Sequence, residues 1–145
     1  MSRSGYSDDC DGRDLTMWRG AVASAIRGRR GQSFLVELIA ALDALPEKRL
    51  GADALRTDDG DFCSLGCVGH ARGLDLAEID PEDRKAVAGA FGIAGALAAE
   101  VMFENDIDFD YSRRETPEAR WGRMRHWAEA HRNTANVQGN LETAR

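Results

Sequence analysis

The chain lacks most of the marks that announce a chemistry. Cysteine is scarce and odd in number, with Cys10, Cys63 and Cys67 alone. An odd count argues against a disulfide scaffold and points to reduced thiols in a cytosol. No apolar run approaches the roughly 20 residues of a membrane span. The opening segment, Met1 to Gly12, is polar and has no apolar stretch of the kind a signal peptide needs. There is no nucleophile elbow, phosphate loop, dinucleotide fingerprint or HExxH motif, and no internal repeat or low-complexity tract. These gaps leave a cytosolic, non-enzymatic domain without a cofactor as the expectation.

What is present is enough for a core. The 145 residues are 43% hydrophobic and 30% charged, which suits one ordinary domain rather than a disordered chain. The net charge of −6 is unevenly spread. Residues 1–112 carry 12 basic and 21 acidic side chains, a net of −9, whereas 113–145 carry 7 and 4, a net of +3. An acidic body disfavours general phosphate binding and permits complementarity with a protein partner or a second copy.

Periodicity predicts a mainly α fold of about five helices. Met17, Trp18, Ala21, Val22, Ala25 and Ile26 share a helical face. Gly28-Arg29-Arg30-Gly31 is read as the turn into a second helix, capped by Ser33 and stopped by Pro46, so that the two form an αα-hairpin. Thr57 to Asp61 is turn chemistry, and a small β-hairpin is expected near 52–63. Ser64–Arg72 reads as a short helix closed by Gly73. Asp80-Pro81-Glu82-Asp83 and Thr116-Pro117-Glu118 each place a capping side chain before proline and acid, the signature of a helix start. The first of these helices should run to Phe91. A further helix is expected over Ile93–Glu104, then a loop from Asn105 to Tyr111. The last helix carries Trp121, Met124, Trp127 and Ala128 inward. The expected layout is a polar tail at 1–12, one helical domain at 13–132 and a polar tail at 133–145.

Four constellations merit comparison with their simpler readings. Val87 to Ile93 has the small residue and bend glycine of a helix-turn-helix. Its second helix, however, would offer Ala94, Gly95, Ala96, Ala99 and Glu100 to bases, which is poor recognition chemistry. Cys63, Cys67 and His70 fall at i, i+4 and i+7, a weak zinc candidate that His126 or His131 would have to complete. Core packing is the simpler account of the two thiols. Asp106, Asp108 and Asp110 begin like a calcium loop, but Tyr111 stands where glycine is needed and Pro117 where the bidentate glutamate belongs. Eight arginines form two clusters, Arg27, Arg29, Arg30 and Arg113, Arg114, Arg120, Arg123, Arg125. With Tyr111, Trp121 and Trp127 between them they could form a nucleic-acid surface, although helix C-termini attract arginine for electrostatic reasons alone.

Phe62-Cys63-Ser64-Leu65-Gly66-Cys67 resembles the CALGAL stretch of a loosely defined set of small bacterial and prophage proteins of unassigned function. In those proteins the stretch is followed by an Asn-Asp pair and by a threonine that opens the last helix. The counterparts here are Asn105-Asp106 and Thr116. The opening, with Trp18-Arg19-Gly20 and Gly28-Arg29-Arg30-Gly31-Gln32, is similar to small prophage proteins too. Cys67 replaces the usual alanine, which weakens the zinc reading further. The resemblance implies a phage or mobile-element context and no particular chemistry.

The functional expectation is therefore a phage-encoded interaction protein that antagonises a host defence system, in the manner of an anti-CRISPR. Its partner would be a host protein, with a homodimer as another arrangement. Acid clusters at Asp58/Asp59/Asp61, Glu78/Asp80/Glu82/Asp83 and Glu104/Asp106/Asp108/Asp110 would imitate a phosphate row. The alternative is a nucleic-acid-binding regulator using Arg29, Arg30, Arg113, Arg114, Arg120 and Arg123. A zinc-dependent or cryptic enzyme comes third. No membrane association is expected.

Overall fold

The computed structural model describes residues 12–107 and 115–143. Among these the chain forms six α-helices and one short 3₁₀ turn, with no β-strand. In chain order they are α1 (Gly12–Arg27), α2 (Arg29–Ala44), α3 (Ser64–Ala71), α4 (Arg84–Phe91), α5 (Gly95–Asp106) and α6 (Pro117–Thr143). The 3₁₀ turn spans Leu76–Glu78, between α3 and α4. The mainly α reading holds. The expected hairpin near 52–63 reduces to a single bridge between Arg56 and Phe62.

α5 is the centre of the domain. Leu97, Ala98, Ala99, Val101 and Met102 are all buried, because α1, α3, α4 and α6 surround this helix. α2 contributes Phe34, Leu35, Leu38 and Leu42, α3 contributes Val68, α4 contributes Val87, and α6 contributes Met124 and Ala128. A helix with apolar residues all round belongs inside a fold, and the stretch 97–102 has that character.

The α1–α2 boundary is tighter than the glycines suggest. Only Gly28 interrupts the helices, and it is the N-cap of α2 without a side-chain cap bond. Ser33 lies within α2 and is exposed. Gly31 acts through closeness: a Cβ there would lie 1.9 Å from the Ala25 carbonyl oxygen. Hence Arg29 and Arg30 occupy the first turn of α2, where the helix dipole disfavours cations.

Two other boundaries shift for local reasons. Asp80 Oδ1 accepts from the Glu82 N–H at 3.0 Å and so closes a turn, while Asp83 is the true cap of α4, accepting from Ala86 N at 3.1 Å. α5 begins at Gly95 and takes in Asn105 and Asp106, so those two residues are helical rather than part of a loop. Gly92 closes α4 in the left-handed conformation that glycine adopts without steric cost. α6 continues to Thr143, past the polar boundary at 132. Thr116 caps it as expected, its Oγ1 accepting from Ala119 N at 3.1 Å.

Candidate functional site

The segment from Gly51 to Asp83 wraps one side of the bundle and is held by polar bonds rather than by regular structure. Thr57 N–H donates to Asp61 O at 2.8 Å, and Asp61 N–H donates to Thr57 Oγ1 at 3.1 Å. This closes the turn that carries Asp58 and Asp59 at its exposed tip. Arg49 clamps Asp61 at 2.9 Å. On the other side, Asp75 Oδ1 accepts from Ala77 N at 3.1 Å and shapes the 3₁₀ turn.

Between these two edges lies a cleft of about 510 Å³. Leu55, Phe62, Leu74, Leu76, Ile79 and Pro81 supply its apolar wall, with Arg56, His70 and Asp75 among its polar lining. Phe62 is fixed in place by its neighbours. His70 stacks on it with ring centroids 4.6 Å apart, and the Arg56 guanidinium lies 5.5 Å from the ring centroid. Gly69 lets α3 approach the 3₁₀ turn, since a Cβ there would meet Leu76 Cδ2 at 2.6 Å.

The cleft sits in a strongly acidic stretch. Residues 53–83 contain nine acidic and two basic side chains, a net of −7 against −6 for the whole chain. Asp75 lines the cleft, Asp58 and Asp59 directly follow the lining residues Arg56 and Thr57 in the chain, and Glu78, Asp80 and Glu82 alternate with or follow the lining residues Ala77, Ile79 and Pro81. All six of these carboxylates are exposed.

The third expected acid cluster does not join this row. Asp106 Oδ1 accepts from Asp53 N at 3.0 Å and from Asn105 Nδ2 at 2.9 Å, so it is part of the fold's internal bonding. Glu104 is half-buried. Its carboxyl is held above the usual range by burial first, then by the charge and hydrogen bond of Glu100, against the opposing pull of Arg123 and Arg19. Asp108 and Asp110 lie outside the described residues.

Glu104 gives a prediction with a definite sign. A raised folded pKa means that the folded state binds the proton more tightly than the unfolded chain. The stability this contributes is fully present below the ordinary value of 4.5 and is lost as pH rises through the folded pKa. Glu104→Gln should therefore melt at a higher temperature than the native chain at pH 8, with the gain shrinking as pH falls towards 4.5. Thermal melts across that range check it. A gain that grows on acidification would contradict the assignment.

The zinc candidates do not converge. Cys63 is the N-cap of α3, its Sγ accepting from Gly66 N at 3.3 Å. Cys67 is buried, and burial pushes its thiol up to about 12, so it is inert as a thiolate. His70 is exposed and stacked on Phe62. Among the described residues no group of three His, Cys, Asp or Glu side chains is arranged to hold a metal ion.

Arg120, Arg123 and Arg125 of α6 are paired within the fold. Arg123 makes a two-pronged contact with Glu115 at 2.7 and 2.9 Å and also donates to the carbonyls of Glu104 and Asn105, so it caps the end of α5. Arg120 donates to Leu50 O at 3.3 Å and pairs with Glu115 at 3.4 Å. Arg125 pairs with Asp43 of α2 at 2.7 Å. Trp121 donates from Nε1 to Leu42 O at 2.9 Å. Arg29 and Arg30 remain exposed, and Arg113 and Arg114 lie outside the described residues.

The helix-turn-helix comparison resolves through burial. The axes of α4 and α5 meet at 104°, the steep crossing that the bend glycine suggested. Ala99 and Glu100, expected on the outer face, are instead buried at 0% and 3% exposure. A helix enclosed by four others cannot enter a groove. Among the described residues no single helix is long and apolar enough to cross a membrane.

No family model, curated protein or solved structure matches this chain. Its own geometry is what bears on function. Sequence reasoning missed the cleft, and the signal that marks it is the density of acids between 53 and 83.

Proposed function

We propose that the chain is a non-enzymatic protein-interaction module whose acidic 53–83 face receives a basic segment of a partner protein. The observation that carries this reading is a net of −7 in the 31 residues 53–83, the stretch that supplies the lining of the cleft of about 510 Å³. Such a field raises the encounter rate with cationic surfaces and repels phosphate backbones. The resemblance of the Phe62–Cys67 and Asn105-Asp106 motifs to prophage proteins supports a phage-encoded protein acting in the host cytosol. A host nucleic-acid-binding protein is then the natural target, because its groove is built for a row of negative charge. An antagonist of a defence system such as CRISPR fits that description.

The test is capture from a nuclease-treated host lysate. The native chain should retain a stoichiometric host protein. The quadruple variant Asp58→Lys, Asp59→Lys, Glu78→Lys, Glu82→Lys should lose it, with about a tenfold or greater fall in affinity. Undiminished binding by that variant would dismiss the acidic face. Recovery that disappears with nuclease would instead favour nucleic acid, for which Arg29 and Arg30 are the exposed candidates.

A further inference from the structure

We infer that the cleft between the Arg56–Phe62 bridge and the 3₁₀ turn is the anchor pocket for apolar side chains of that basic segment. The inference rests on the interaction reading above and adds to it what the bound segment must carry besides charge.

Three observations support a pocket over a plain charged surface. The first is size. At about 510 Å³ the cleft falls in the range of sites that bury ligands, and it exceeds the space one side chain needs. Two neighbouring apolar side chains are the natural load. The second is the wall. Phe62, Leu74, Leu76 and Ile79 are each only half-buried by the fold, so an apolar visitor would remove surface from water that the chain leaves wet.

The third is rigidity. Leu55 O accepts from Cys63 N at 3.1 Å, Leu74 N–H donates to Gly69 O at 2.9 Å, and Asp75 and Asp80 each fix a neighbouring N–H. Phe62 is in contact with both the His70 ring and the Arg56 guanidinium. A wall fixed in advance loses little conformational freedom when it is filled.

The rim then selects the occupant. Asp75 lines the cleft, and the exposed Asp58, Asp59, Glu78, Asp80 and Glu82 each lie within two residues of a lining residue along the chain, which puts negative charge next to an apolar wall as the polar rim of a hot spot does. Arg56 is the one opposing charge in the lining, and its guanidinium is spread over Phe62. Nucleic acid and anionic lipid are repelled by the same carboxylates. A protein segment rich in lysine or arginine with two leucine-like side chains matches both the charge and the wall.

The experiment uses the full chain and two labelled synthetic peptides of equal positive charge, one with a pair of leucines and one with alanines in their place. Fluorescence anisotropy at physiological salt should show the leucine peptide binding about tenfold or more tightly. Ala77→Phe, placed on the exposed 3₁₀ turn at the cleft edge, should erase that preference and leave the alanine peptide unaffected. Asp58→Lys with Asp59→Lys should weaken both peptides.

Equal affinity of the two peptides for the native chain overturns the anchor pocket. If both still weaken on charge reversal, the acidic-face reading survives without it. A leucine preference that persists in a folded Ala77→Phe protein also overturns the assignment. Failure of both peptides to bind removes both readings together.

Discussion

Asn105→Ala should lower the unfolding free energy by about 3–5 kcal/mol. Asn105 is completely buried and all its polar capacity points inward. Its Oδ1 accepts from Ser64 N at 2.9 Å and from Ser64 Oγ at 2.8 Å, and its Nδ2 donates to Gly51 O at 3.0 Å and to Asp106 Oδ1 at 2.9 Å. One side chain thus joins the end of α5 to the start of α3 and to the loop at Gly51. Alanine would strand a buried N–H, a hydroxyl and a carbonyl at once. Each stranded group costs about 1–3 kcal/mol, with partial relief where water enters. Ser64→Ala removes only one of these bonds and should cost about 1 kcal/mol. Urea unfolding of the two variants makes the comparison. An Asn105→Ala loss no larger than that of Ser64→Ala would show that the network is not a keystone.

Gly66→Ala should be severely destabilising, costing about 4 kcal/mol or preventing folding outright. A Cβ at this position would lie 1.8 Å from the Leu55 carbonyl oxygen and 2.8 Å from its carbonyl carbon. Both are backbone atoms, so no side chain can rotate aside. α3 would have to retreat from the 55 loop, breaking the Cys63 N to Leu55 O bond and opening the floor of the cleft. Gly122 in α6 is the control, because a Cβ there meets nothing within 4 Å. Gly122→Ala should stabilise by about 0.5–1 kcal/mol through helix propensity. Opposite signs for the same chemical change would separate close approach from backbone entropy. A well-folded Gly66→Ala protein with an unshifted melting temperature would refute the contact.

The motifs that suggested a family pattern turn out to be mechanical. Cys63 caps α3, Gly66 admits Leu55, Asn105 and Asp106 latch Gly51 and Asp53, and Thr116 caps α6. Leu50 N–H adds a bond to Pro117 O at 3.0 Å. These residues meet in one knot that ties the irregular 50–63 segment to three helices. Each of these residues thereby has a bonding or packing task within the fold. The knot also bears on the cleft, whose walls hang from it.

Most helix faces were legible in the sequence because 3.6-residue periodicity is a local property, and the same is true of the Thr116 cap. α1 is the exception, with Val22 and Ile26 buried but Met17 and Ala21 of the same expected face exposed. Met124, Ala128, Leu97, Val101 and Met102 are all inward as their spacing predicts. The fates of individual charges were not legible. Arg120 and Arg123 look like surface cations in a list of residues, yet they close α5 and the Leu50 loop. Glu100 reads as an exposed acid on a helix and is buried, with Arg19 at 3.3 Å. Partners 70 or 81 positions apart leave no trace in a local pattern.

The sequence by itself determined that this is a mainly α chain with a charge gradient, since helix propensity, capping chemistry and net charge act over a few residues. Only the tertiary structure decided which acids face water and which serve the fold. Burial and long-range pairing set that division, and they separated Asp58, Asp59, Glu78 and Glu82 from Glu104 and Asp106. The cleft belongs to the same level, because a concavity exists only once Leu55, His70 and Ile79, distant along the chain, have been brought to one place.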